Sequence, residues 1–213
     1  MQLTSDPEVV PFAWPGWFIV EGVRVVERDP AMDDPLRQAA ETMRRQVESA
    51  DVTAAVRTMY KRAGIDPTKT RPSSEALLRR VRRGDELPRV NNVVDVINWC
   101  SLETQLPYGL YDLDRIAPPV ELRRGRPGES YDGIRKGVVN VEGRPTLADA
   151  QGAFGNPTSD SARTMVTGET RHVLVVIFAP RPLGEAPVLR ALDLTSERLA
   201  RYAGGHEIER LTI

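Results

Sequence analysis

The chain holds one cysteine, Cys100, and two histidines, His172 and His206, in 213 residues. A single thiol excludes an internal disulfide and points to a reducing compartment. The two histidines stand far apart, in no metal-ligand spacing, so neither a zinc site nor any other metal is expected. Long apolar runs are missing too. The strongest, Val173 to Ala179, is far too short to cross a bilayer. The opening MQLTSDPEVVPF has neither a basic nor an apolar leader region, so no secretory signal is expected. The formal net charge is −1, which gives no whole-molecule field toward nucleic acid or membrane. G-x-x-x-x-G-K-[ST], G-x-G-x-x-G and G-x-S-x-G are all absent, which removes the usual nucleotide loops and the serine nucleophile elbow. These absences predict a soluble cytoplasmic protein with no cofactor and no membrane partner.

The composition is 40% hydrophobic and 28% charged, the profile of one folded globular domain with its own core. Charge is locally uneven. Residues 57 to 89 hold ten Arg/Lys against four Asp/Glu, while the rest of the chain is net acidic. Such a segment suits a phosphate-facing patch or a solvated Arg-rich helix.

Residues 1 to 16, with three prolines, read as an irregular lead-in, and WFIVEGVRVVER (17 to 28) as a bent strand or tight hairpin. Asp33 and Asp34 are placed to cap a helix running from about Pro35 to 49. A second helix runs from Asp51 to a stop at Gly64. Ser73 or Ser74 can cap a third, with Glu75 in its first turn and Arg79 to Arg83 in its last, in accord with the macrodipole. A fourth spans about Asn92 to Gln105. Segments 108 to 112, 119 to 124, 137 to 142 and 172 to 179 are short and β-prone. Residues 146 to 171 read as loop, 188 to 203 as helix, and EIERLTI as a final strand. Helices first and strands mostly after predicts α+β, with a β-rich mixed sheet or barrel-like core flanked by helices.

The fourth helix is unusual. Asn91, Asp95 and Asn98 recur at i, i+4 and i+7, one narrow polar stripe on a helix that is otherwise apolar nearly all round. Buried amides and carboxylates need partners, so the stripe either stitches loops together or lines a pocket. Cys100, on the apolar back of the same helix, reads as a small core residue. The other polar clusters are the turn RPSSE (71 to 75), YGLYD (108 to 112) and DSARTMVTGET (160 to 170).

The pieces GIDPTKTRPSSEALLRR, LPRVNNVVDVINWCSL, LPYGLYDLD and DSARTMVTGETRHVLVV, in that order over residues 57 to 180, resemble the aminoacyl-tRNA editing (B3/4-type) domain of the phenylalanyl-tRNA synthetase β-subunit in freestanding form. The resemblance implies residues 1–50 as a strand and helix packed on the core, and 51–213 as an editing-like tRNA-binding domain. It implies a pocket between the Asn98 helix, YGLYD and the Thr-rich segment, which takes the aminoacylated 3′ end of tRNA and hydrolyses a mischarged ester. Asn98 stands at the asparagine of the family's helix motif. Ile97 replaces a threonine and Gly109 a histidine of the synthetase form, so RPSSE and DSxRTxVT are expected to supply replacement groups.

An aminoacyl ester is already activated, and its hydrolysis needs placement, a water and oxyanion donors rather than a protein nucleophile. On this resemblance Asn98, Ser73, Ser74 and Thr164 donate to ester or ribose, and Asp95 or Glu75 binds the ammonium or orients water. Arg71 or Arg163 holds the terminal phosphate, Asn91 and Tyr111 complete the substrate side, and Arg79, Arg80, Arg82 and Arg83 steer the acceptor stem. The alternative is a non-catalytic module that holds a tRNA end or an amino acid in the same cleft.

Overall fold

The computed structural model describes residues 1–46 and 50–212. Two nine-residue strands form its centre. β2 (Ala13–Glu21) and β9 (His172–Pro180) pair antiparallel over their whole length, from Ala13 opposite Pro180 to Glu21 opposite His172. Val173 to Ala179 are buried without interruption, as expected of a strand covered on both faces. β3 (Tyr108–Asp112) adds to the far side of β9 and β10 (His206–Thr212) to the far side of β2, giving the order β10-β2-β9-β3.

A second sheet has the order β1-β4-β7-β8, built from β1 (Leu3–Ser5), β4 (Val120–Arg124), β7 (Pro145–Asp149) and β8 (Gly152–Gly155). β1 runs parallel to β4 and the other pairs are antiparallel, so this sheet is mixed. β5 (Ser130–Asp132) and β6 (Val138–Asn140) form a separate hairpin. Among the described residues, no sheet closes into a barrel.

The helices are α1 (Asp33–Arg45), α2 (Ala50–Arg62), α3 (Ser73–Arg82), α4 (Asn92–Thr104) and α5 (Glu185–Ala203). α5 packs on β2 through Gly16, where a Cβ would stand 2.5 Å from Val188 Cγ1. α4 packs against α1, α3, α5 and β3. Its residues Val93, Val96, Cys100 and Leu102 are fully buried, which accounts for its apolar circumference. One apolar cluster runs from Leu3 to Ala203. The described chain is therefore a single α+β domain, as expected from sequence, with one mixed sheet beside a central sheet that is antiparallel throughout.

Several local expectations are corrected. Residues 1 to 16 are irregular only in part, because β1 and the start of β2 lie there. β2 keeps an unbroken register with β9 and ends before Gly22, whose φ of 73° turns the chain. Within 146 to 171, β8 and most of β7 replace the expected loop, their small residues being buried rather than solvated. α1 ends at Arg45, and the expected end near 49 lies outside the described residues. The N-terminal cap position of α2 lies outside them as well. Asp33 and Asp34 sit in the first turn of α1 rather than at its cap. The cap of α3 is Pro72, with no side-chain hydrogen bond, so neither Ser73 nor Ser74 performs that task.

Candidate functional site

The polar stripe of α4 divides into three fates. Asn91 is the N-cap, its side chain accepting from Val94 N at 2.9 Å. Asp95, 1% exposed, accepts from Arg89 Nε at 2.7 Å and from Val90 N at 2.8 Å. Arg89 also pairs with Asp33 and donates to Asp29 O, so Asp95 ties α4 to the start of α1. Burial raises the Asp95 carboxyl above its ordinary range, against the opposing hydrogen bonds of Val90 and Arg89. Asn98 takes no part in these bonds and faces a cavity of about 350 Å³. Asn92, outside the stripe, is the loop stitcher: it accepts from Val26 N and donates to Arg24 O and Tyr202 O.

Val94, Ile97 and Asn98, at i, i+3 and i+4, form one wall of the cavity. Ser73 enters from the first turn of α3, and Leu110 from β3. Ile134, Arg135 and Lys136, from the β5–β6 connection, form the rim. Thr158, Ser159 and Asp160 close the opposite side.

That last segment is held rigidly. Asn156 Oδ1 accepts from Thr158 N and Ser159 N, and its amide donates to Tyr131 Oη at 2.9 Å. Tyr60 Oη donates to Pro157 O at 2.8 Å, and Tyr131 donates to Ser159 O. Downstream, Asp112 N donates to Thr164 O and Thr170 Oγ1 donates to Asp112 Oδ2 at 2.7 Å. The Thr-rich segment is thereby laid along β3.

Three polar oxygens here are buried with no partner in normal hydrogen-bond geometry: Ser73 Oγ, Asp160 Oδ1 and, behind it, Tyr111 Oη. Buried oxygens without partners are costly unless a ligand or water uses them. Burial pushes the Asp160 carboxyl up to about 7, against the smaller, opposing effects of the Tyr111 hydroxyl, the Leu110 backbone amide and the Lys136 charge. Lys136 Nζ donates to Ser159 Oγ at 3.2 Å. Arg135 holds a left-handed backbone, with φ 52°.

Of the candidate catalytic, substrate-binding and tRNA-binding residues, Ser73 and Asn98 line this cavity, as does Ile97 at the family's threonine position, and the other candidates do not. Glu75 is bound by Arg57 through two hydrogen bonds of 2.8 and 2.9 Å and lies 3.4 Å from Arg71 Nε. The Arg57 guanidinium holds its carboxyl below the usual range. Arg163 forms a fork on Asp149 at 2.9 and 3.0 Å. Ser74 and Thr164 are buried, and the Thr164 hydroxyl shares a 3.0 Å bond with Ser161. Tyr111 is fully buried behind Asp160 and packs edge-on against Phe154 at 5.0 Å. Arg79, Arg80, Arg82 and Arg83 are exposed at the C-terminal end of α3, about 9 to 15 Å along the helix from Ser73.

Sequence reasoning missed Arg135 and Lys136 as cavity residues, and pointed to Asp160 only as the first residue of DSxRTxVT. The signal for Asp160 is faint. Asn156-Pro157 announces a turn, but nothing local reports that the carboxylate after it points inward. Among the described residues, no group of three or more His, Cys, Asp or Glu could hold a metal ion, and no helix is long and apolar enough to cross a membrane.

The family model described as the B3/4 domain matches residues 55–212. The phenylalanine–tRNA ligase β-subunit of Carboxydothermus hydrogenoformans is 27% identical over 153 residues, covering 68% of this chain and 18% of that protein. The β-subunit of Gloeobacter violaceus is 27% identical over 184 residues, covering 84% and 22%. The chain thus spans less than a quarter of the length of these relatives. An N-terminal fragment of the phenylalanyl-tRNA synthetase β-subunit from Pyrococcus horikoshii superposes with a TM-score of 0.52 at 16% identity, covering 99% of this chain and 53% of that one. That likeness is one of fold.

Proposed function

The chain belongs to the B3/4 domain family, and from that premise we propose that it binds the aminoacylated 3′ end of tRNA in the Asn98 cavity and hydrolyses a mischarged aminoacyl ester in trans. The observation that carries this reading is that Asn98 and the partnerless Ser73 hydroxyl line the same cavity. Both are donors. Neither is a nucleophile activated by an adjacent base, and an activated ester does not require one. Their task is to hold the carbonyl oxygen as it gains charge, and a preorganised donor of this kind is worth roughly 10²–10³ in rate.

The rest of the lining suits the other parts of such a substrate. Val90, Val94, Ile97, Leu110 and Val166 give the aminoacyl side chain an apolar surface. Arg135 and Lys136 at the rim lie where the terminal phosphates of an entering strand would pass. The exposed arginines of α3 extend the basic surface toward the acceptor stem. Asp95, Glu75, Arg71 and Arg163 act on this reading through the scaffold, since each is already held in an ion pair.

The test is deacylation of tRNA charged with a panel of noncognate amino acids. Accelerated ester loss is expected with at least one apolar amino acid, and Asn98→Ala removes it. Binding of charged tRNA with no acceleration for any amino acid overturns hydrolysis and makes the cavity a binding module.

A further inference from the structure

We propose that Asp160 is the general base of this site, taking the proton of the attacking water, and that Tyr111 is its positioning residue. The inference rests on the ester-hydrolase reading above and adds the group that reading lacks. Asn98 and Ser73 can stabilise an oxyanion, but neither can accept a proton at neutral pH.

Three observations lead to Asp160. It lines the same cavity as Asn98 and Ser73. Its carboxyl is engaged only by neutral groups, the Tyr111 hydroxyl and the Leu110 amide, and its buried Oδ1 has no partner in normal geometry. Its backbone is fixed: Asp160 bridges Gly155, and its carbonyl accepts from Ile134 N. Among the carboxylates discussed here, Asp95, Glu75 and Asp149 each carry an arginine at 2.7 to 2.9 Å. Asp160 has no such ion pair, and a base must be free to take a proton.

The groups that face it are consistent with this role. Tyr111 on β3 interacts with it at close range, Tyr131 on β5 lies near it, and Lys136 is the nearby cation. The α3 and α4 residues on the lining, Ser73, Val94, Ile97 and Asn98, bring no titratable group. The carboxyl titrates close to neutrality because it is buried, the range in which a general base works best.

The step balances without any further reagent. One water proton passes to the Asp160 carboxylate as the water oxygen bonds to the ester carbon. The carbonyl electron pair moves onto the oxygen held by Asn98 and Ser73. When the C=O bond re-forms, the bond from carbon to the ribose oxygen breaks, and the proton on Asp160 passes to that oxygen. The products are a free amino acid and the tRNA hydroxyl.

The experiment measures kcat and KM for deacylation across pH 5 to 9, with an amide-linked aminoacyl-tRNA analogue to measure binding. In the wild type, log kcat should rise with pH and level off above about 7. Asp160→Asn should lower kcat by roughly 10²–10⁴-fold, abolish the rising limb and leave analogue binding within a few-fold. Tyr111→Phe should keep most of the plateau rate and move the limb to higher pH, because the lost hydroxyl favoured the carboxylate. A purely structural tyrosine would lower the melting temperature and leave the limb in place. If Asp160→Asn raises KM and keeps kcat, Asp160 binds the substrate ammonium and the inference is overturned. If the wild type hydrolyses nothing, the functional reading falls first and this one with it.

Discussion

Gly109 exists in this structure because Tyr111 lies over it. The two stand at i and i+2 on the same face of β3, and a Cβ at position 109 would stand 2.7 Å from both Cε2 and Cζ of the Tyr111 ring. On the other side the same ring lies against Gly155 of β8, where a Cβ would stand 2.6 Å from Cζ. A buried aromatic fills the volume that two side chains would otherwise occupy. Gly109→Ala should therefore cost about 1–3 kcal/mol, as overpacked sites do, and lower the melting temperature by several degrees. Retention of the wild-type melting temperature would show that the ring can move aside.

Asn98 and Asp95 should respond in opposite ways, although they lie three residues apart on one helix. Asn98→Ala should reduce deacylation by roughly 10²-fold or more with little change in thermal stability. Asp95→Ala should cost about 3 kcal/mol, the lower end for breaking a buried ion pair, because Arg89 keeps Asp33. The rate per folded molecule should be preserved. Thermal melts run beside single-turnover deacylation separate the two effects, and a rate loss in Asp95→Ala at full stability would return Asp95 to the site.

This contrast also marks what the sequence could and could not reveal. Helical periodicity placed Asn91, Asp95 and Asn98 on one line and showed that the helix is buried, because both follow from the 3.6-residue repeat. It could not divide them. Asn91 is used by its own helix terminus, Asp95 by an arginine six residues upstream whose other contacts are on Asp29 and Asp33, and only Asn98 is left for the cavity. Long apolar strands such as 172 to 180 were legible for the same reason as the helix. The short strands β7 and β8 were not, since Ala, Gly and Thr pack there by tertiary neighbours and carry little propensity of their own. The resemblance pointed to Asp160 only as part of DSxRTxVT, and its individual role was not legible because it depends on Tyr111 and β3, some fifty residues away.

Asp160 should also leave a signature in stability. Its folded-state pKa is raised from 3.8 to about 7 by burial, so the fold favours the protonated form. Its contribution is fully present below about pH 4, is lost as pH rises toward 7, and is constant above that. Asp160→Asn, which cannot ionise, should be more stable than the wild type at pH 8 and close to it at pH 4. Chemical denaturation at the two pH values checks this, and a gap independent of pH would mean that the carboxyl titrates at its ordinary value in the fold.

The basic end of α3 should act on affinity alone. Arg79, Arg80, Arg82 and Arg83 are exposed, but not equally available. Arg80 donates to Glu86 O at 2.6 Å, Arg82 to Gln46 O, and Arg83 pairs with Asp85 at 3.4 Å. A phosphate contact from Arg79 would displace none of these bonds. Arg79→Ala should therefore weaken tRNA binding and reduce the slope of log affinity against log salt by about 1. Single-turnover rates at saturating tRNA should not change. Because α3 carries Ser73 in its first turn, about 9 Å along the axis from Arg79, the same helix would fix the distance between the acceptor stem and the ester. A loss of rate at saturation, with the salt slope unchanged, would show that Arg79 acts on the position of Ser73 and not on phosphate.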